Sequence, residues 1–183
     1  MSDLIQDVSD RDHRRGPDDA QVVLVAYCDF ACPVCIEGYW SVKKLLQSYG
    51  DKILYVYRNL PQLDIHPCAL SSARFAEAAG KQGCFWTFHD FVYENPSLVE
   101  HPHRLLDEVS ELGLDVEWIR RDVADKVYDA RIHEDIASAR DSGVTIAPTY
   151  FLNGSRLGGD ERVDLDAEIQ AVITGNSGLA PKS

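Results

Sequence analysis

The sequence predicts an α/β sheet domain interrupted by a block of helices, and three observations carry that prediction. A short buried strand, an amphipathic helix and a second strand follow one another within about 35 residues, which is a βαβ unit. Helical pattern then runs for about 75 residues, and strand character returns afterwards as ββα. With 183 residues the chain suffices for one well-cored domain carrying a sizeable insertion. The expected organisation is a polar N-terminal arm over 1–20, a single domain over 21–174 with the insertion at about 65–142, and a flexible tail over 175–183.

Residues 1–20 are polar and end near Gly16-Pro17, and the basic cluster Arg11-Asp-His-Arg-Arg15, interrupted by acid, reads as solvated. Val22 to Tyr27 is a continuous apolar run of the kind that a strand buried on both faces requires. Val42, Leu45, Leu46 and Tyr49 then repeat at helical spacing, Gly50 ends the helix, and Ile53 to Tyr57 gives the second strand. Within the insertion, helices are expected over His66 to Ala79, Phe85 to Tyr93 and Pro102 to Leu112. Asp115 offers an N-cap for a long stretch that reaches Ala139, with a break near Asp125. Thr149 to Leu152 reads as a strand, Asn153-Gly154 as a hairpin turn into Arg156-Leu157, and Asp164 as the cap of a last amphipathic helix.

The formal charge of -12, from 18 basic against 30 acidic residues, disfavours nucleic acid and anionic membrane as partners, because phosphate binding needs clustered Lys and Arg. No apolar run is long enough to span a bilayer and the first residues carry no signal-like h-region, so the expected address is cytoplasmic. Five cysteines form an odd set, and in a reducing compartment such residues more often serve catalysis, metal binding or core packing than structural crosslinks.

The chemistry concentrates in Asp29-Phe-Ala-Cys-Pro-Val-Cys35. Proline is favoured at a first helical position, so Pro33 places Cys32 at the cap, where free N–H groups and the positive end of the helix dipole favour a thiolate. That environment is expected to lower the Cys32 pKa from about 8.5. Cys35, one turn in and more buried, would resolve what Cys32 attacks. Two bland alternatives stay open: a pair of core cysteines in a binding module with an idle dithiol, or a soft-metal site built on Cys28, Cys32 and Cys35. No second C-x-x-C and no H-x3-H completes a structural zinc set. Later in the chain Pro148 stands where a strand begins. A cis Ala147-Pro148 bond would aim the Ala147 backbone at an extended substrate, although sequence alone leaves the isomer open. Pro33, Ala147 and Pro148 are therefore the candidate substrate-binding residues.

With these pieces together, "VVLVAYCDFACPVC", "RNLPQLDIHPCALSSARFAEAAGKQGCFWTFHDFVYEN" and "GVTIAPTYFLNG" resemble the DsbA-like thiol:disulfide oxidoreductases of the thioredoxin superfamily, from about Gly16 to about Ile173. The resemblance implies a thioredoxin-like fold with a helical insertion, a nucleophile at Cys32, a resolving thiol at Cys35 and a cis-proline at Pro148. It also implies protein or peptide thiols and disulfides as substrates, glutathione or another thioredoxin-fold protein as redox partner, and no organic cofactor. Two departures stand out: Ala26 replaces the buried carboxylate usual six residues before the nucleophile, and Cys28 replaces a usual glycine. Between the cysteines, Pro-Val offers no imidazole to the thiolate, which points to a couple less oxidising than about -120 mV.

The remaining candidates have plainer readings. Cys68 and Cys84 are expected to be free core cysteines rather than a disulfide, His66 a capping or surface residue, and His89 part of an aromatic core with Phe85, Trp86, Phe88 and Phe91. Tyr39 and Trp40 are placed either in a substrate groove or in the core.

Overall fold

The computed structural model describes residues 3–158 and 163–176. Strands β1 (His13–Arg15), β2 (Val22–Cys28), β3 (Ile53–Asn59), β4 (Thr149–Leu152) and β5 (Ser155–Arg156) form a mixed sheet in the order β1-β3-β2-β4-β5. β2 and β3 run parallel from Val22 opposite Ile53 to Cys28 opposite Asn59, and helix α1 (Pro33–Tyr49) makes the crossover between them. β4 is antiparallel to β2, its ladder starting at Thr149 opposite Tyr27. The two central strands are almost wholly buried, which is why their sequences are continuous apolar runs rather than alternating ones. Asn153 and Gly154 take φ of 48° and 83°, the left-handed pair that a two-residue hairpin requires.

The insertion comprises α2 (Ala69–Lys81), α3 (Phe85–Glu94), α4 (Pro102–Ser110), α5 (Val116–Ala124) and α6 (Asp129–Asp141), and α7 (Leu165–Ile173) closes the fold against α1 and β2. Asp115 accepts from the Trp118 N–H at 2.9 Å and caps α5, and Asp164 likewise caps α7 through the Ala167 N–H at 3.2 Å. The break expected near Asp125 lies between α5 and α6, where Lys126 adopts a positive φ of 55°. The tail expected over 175–183 lies outside the described residues from 177 onward.

The N-terminal segment departs from expectation. It is no solvated arm: His13–Arg15 pairs antiparallel with β3, and Leu4 is buried. The physical reason is Arg58, whose side chain is 1% exposed in the middle of the fold. A buried guanidinium needs acceptors for its fork of N–H groups. It donates to Asp12 Oδ1 at 2.8 Å, to the Gln6 carbonyl at 3.1 Å and to the Tyr27 hydroxyl at 2.8 Å. Burial pushes the Asp12 carboxyl up, but the hydrogen bond and charge of Arg58 hold it below the usual carboxylate range.

Cys68 and Cys84 cannot pair. Cys68 precedes the first residue of α2, whereas the Cys84 N–H bonds the Ala79 carbonyl at the other end of that helix. Thirteen residues of α2 separate the two sites, about 20 Å of helix. Both thiols are free and half-buried.

Candidate active site

The dithiol sits where β2 leaves the sheet and α1 begins. Cys32 is the N-cap of α1 with φ -83° and ψ 121°, and Pro33 opens the helix. The Cys32 N–H bonds the Asp29 carbonyl at 3.2 Å, and the Cys32 carbonyl accepts from Ile36 at 3.1 Å, so the backbone of the motif is fixed on both sides. No side chain caps the helix. The N–H groups of Val34 and Cys35 are directed instead to the Cys32 sulfur.

The loop is held from below by Asp29, a residue that sequence reading passed over. Its carboxylate is fully buried. Oδ1 accepts from the Ala31 N–H at 2.8 Å, and Oδ2 accepts from the Gln62 N–H at 3.0 Å and meets His66 Nδ1 at 2.8 Å. His66 is thus neither a cap nor a free surface residue. It is the partner that, with Gln62, ties the segment after β3 to the turn that carries the dithiol. Phe30 fills the space beneath, its ring centroid 5.1 Å from that of Tyr57 and 5.2 Å from that of Tyr93. His89 joins the same cluster, and burial pushes its pKa down to about 4.

Pro148 and Ala147 face the dithiol across the turn. The Ala147–Pro148 peptide bond is cis, and the Cys32 thiol donates to the Ala147 carbonyl at 3.6 Å. Because the β4 ladder starts only at Thr149, this dipeptide stands outside the sheet. A groove of about 450 Å³ runs from it between α1 and β5, lined by Val34, Glu37, Gly38, Ile146, Pro148 and Arg156 among others. Val34 and Ile146 present exposed apolar side chains, 44% and 56% accessible, at the mouth beside Cys32. Tyr39 belongs to the core, its ring stacked on Tyr93 at 5.1 Å and its hydroxyl donating to Glu94 at 2.6 Å. Trp40, half exposed, packs edge-on against Tyr39.

The acidity of the two thiols departs from the sequence expectation. The hydrogen bond with Cys35 pushes Cys32 up, and burial and the neighbouring Cys35 charge add to it. These outweigh the Cys35 and Val34 N–H groups, which pull the other way. Two neighbouring thiols cannot both ionise cheaply, so each raises the cost of the other's losing its proton. Cys35 is driven well up, first by burial and then by its hydrogen bond to Cys28, against the opposing bond from Cys32. The Asp29 N–H donates to the Cys35 sulfur at 3.4 Å.

Ala26, where the resemblance implies a carboxylate, is fully buried opposite Tyr150. Tyr150 in turn explains Gly38, since a Cβ built there would stand 2.1 Å from the Tyr150 hydroxyl. Among the described residues, no group of three or more His, Cys, Asp or Glu side chains is disposed to hold a metal ion. The trio Cys28, Cys32 and Cys35 does not form such a site, and all three thiols are free.

Residues 8–173 match the thioredoxin family. The chain belongs to the thioredoxin family. Similar curated relatives of this thioredoxin-family chain carry antiporter names. The Na(+)/H(+) antiporter NhaA of Herminiimonas arsenicoxydans is 43% identical over 148 residues, 81% of this chain and 23% of the relative. NhaA 1 of Salinispora arenicola is 40% identical over 167 residues, 91% of this chain and 25% of the relative. The chain therefore spans about a quarter of the length of the curated relatives it matches. Among solved structures, oxidised BdbD from Bacillus subtilis superposes with a TM-score of 0.78 at 18% identity, covering 97% of this chain and 99% of that one. A thioredoxin-like oxidoreductase from Silicibacter pomeroyi superposes with 0.73 at 23% identity, covering 91% and 92%. α-DsbA1 from Wolbachia pipientis gives 0.70 at 19% identity, covering 95% and 98%. The fold is thus DsbA-like, with the helical insertion between the two halves of the sheet.

Proposed function

We propose that the protein is a thiol:disulfide oxidoreductase working through Cys32 and Cys35. The observation that carries this function is the placement of the Cys32 sulfur at a helix N-terminus, against the Ala147 carbonyl and beside an open groove, with Cys35 buried behind it. The solved neighbours named as BdbD, DsbA and oxidoreductase lend the same support. In the reducing direction the Cys32 thiolate attacks one sulfur of a substrate disulfide, a Cys32–substrate disulfide forms, and the other substrate sulfur leaves as thiolate. The Cys35 thiolate then attacks Cys32, closing the Cys32–Cys35 disulfide and expelling the second substrate thiolate. The oxidising direction is the reverse. Ala147 and Pro148 align an extended substrate chain, and Val34 and Ile146 suit apolar residues next to the reacting cysteine.

Protein or peptide thiols and disulfides are the proposed substrates, and glutathione or another thioredoxin-fold protein is the proposed redox partner. The cytoplasm is the proposed compartment, a choice supported by two half-buried cysteines, Cys68 and Cys84, that cannot pair with each other. Insulin reduction by wild type and by Cys32→Ser tests the function: activity in the former and none in the latter is expected, and equal rates would overturn it. A second reading follows from the curated relatives: the protein serves beside a membrane Na(+)/H(+) antiporter, whose cysteines would be its substrates. Recovery of an antiporter as a mixed disulfide with a Cys35→Ala variant is the expected result, and its absence among trapped proteins would count against this partner.

A further inference from the structure

Cys28 is a buried nucleophile that the exchange cycle above does not use. Side chains alternate along a strand, so Ala26 and Cys28 of β2 share one face. Tyr150 stands directly opposite Ala26 and reaches Gly38 of α1 with its hydroxyl, which identifies that face as the one against α1. Cys35 is on α1, one turn before Gly38. The backbone N–H of Asp29, the residue after Cys28, points at the Cys35 sulfur, and the Cys28 thiol is near enough to push the Cys35 thiol up. Cys35 therefore neighbours both other thiols, Cys32 on the side of the helix cap and Cys28 on the side of the strand.

We propose that Cys28 is a third redox thiol, which takes over Cys35 from Cys32 to form a buried Cys28–Cys35 disulfide. The inference rests on the oxidoreductase function, because the Cys32–Cys35 disulfide is its starting point. The Cys28 thiolate attacks the Cys35 sulfur, the Cys28–Cys35 bond forms, the Cys32–Cys35 bond breaks, and Cys32 leaves as a thiolate that takes up the proton Cys28 gave away. No electron enters or leaves, so the step is an isomerisation of the oxidised protein. Once Cys35 is bonded to Cys28, its hydrogen bond and charge no longer raise Cys32, and the N–H groups of the helix end are left to favour the departing Cys32 thiolate.

The product is oxidised and silent. Cys35 is 1% exposed and Cys28 lies on its strand side, away from Cys32 and the groove, so a bond between Cys28 and Cys35 is shielded from a substrate thiol. Cys32 meanwhile is free again beside Ala147, which lines the groove. The oxidised protein thus divides between a form that donates its disulfide and one that withholds it.

Asp-N digestion reads the two forms apart, because it cuts between Cys28 and Asp29 while Cys32 and Cys35 stay on one peptide. Wild-type protein oxidised with glutathione disulfide, acid-quenched, denatured and alkylated should yield a fraction in which the peptide ending at Cys28 is crosslinked to the peptide starting at Asp29, with Cys32 alkylated. The crosslink should be missing from Cys28→Ser. Reduced, denatured Cys32→Ser, refolded in a glutathione redox buffer, should give the same crosslinked pair. Alkylated Cys28 throughout both wild type and Cys32→Ser would overturn the proposal. Insulin reduction by the wild type separates the two claims: activity with no crosslink refutes the third thiol alone, and a crosslink without activity refutes the oxidoreductase function alone.

Discussion

Gly38→Ala combined with Tyr150→Phe gives a prediction whose size follows from one contact. An added Cβ at position 38 would lie 2.1 Å from the Tyr150 hydroxyl oxygen, well inside any real carbon–oxygen contact, whereas the ring carbon behind it stands at 3.4 Å. Tyr150 is 7% exposed and cannot simply swing away. Overpacking of this kind costs about 2–3 kcal/mol, and the gain from replacing glycine by alanine in a helix interior offsets about 1 kcal/mol of it. Gly38→Ala alone should therefore destabilise by about 1–2 kcal/mol. In the Tyr150→Phe background the oxygen is gone, the contact becomes ordinary, and the same change should stabilise by up to about 1 kcal/mol. Urea unfolding of the four proteins gives the coupling energy, expected at about 2–3 kcal/mol, a midpoint shift of about 1 M between the two backgrounds. A coupling below about 0.5 kcal/mol would show that α1 and β4 do not meet as described.

Asp29→Ala removes the acceptor for the Ala31 and Gln62 N–H groups and the partner of His66. It should cost about 2–4 kcal/mol and lower Tm by about 5–15 °C by calorimetry; an unchanged Tm would refute the tie between the two loops. Burial raises the Asp135 carboxyl to about 6, against the pull of Arg131. The folded state then holds an extra proton between about pH 4 and 6, so this group's contribution to stability is largest on the acid side and declines as pH rises through about 6. Asp135→Asn should gain up to about 3 kcal/mol on the wild type between pH 4 and pH 7 in urea titrations, and a gap independent of pH would contradict the burial. With Cys35 pushed well up, attack on a Cys32-linked peptide should speed up about tenfold per pH unit from pH 6 to 8 in rapid-mixing experiments. A plateau within that range would mean that some group takes the Cys35 proton.

The parallel pair β2 and β3, the hairpin at Asn153-Gly154 and the caps at Asp115 and Asp164 were legible because each is written within a few neighbouring residues. Strand β1 was not, since His13-Arg-Arg15 is polar and its pairing depends on a β3 strand some forty residues later. Asp12 gave no local sign that it would meet Arg58, nor did Asp29 that it would meet His66, because both pairs are tertiary. Cys32, Pro33 and Cys35 announced a dithiol through spacing and proline. Its acidity was misjudged, because the helix end is local whereas burial and the influence of Cys35 arise from packing. Gly38 looked like any helical glycine until Tyr150 stood opposite it.

Equilibration of the wild-type protein with glutathione redox buffers tests the central claim most directly. A reversible two-electron couple at Cys32–Cys35, changing by about 30 mV per tenfold ratio and lying below about -120 mV, is the predicted result. Free Cys32 and Cys35 at every buffer ratio would contradict it.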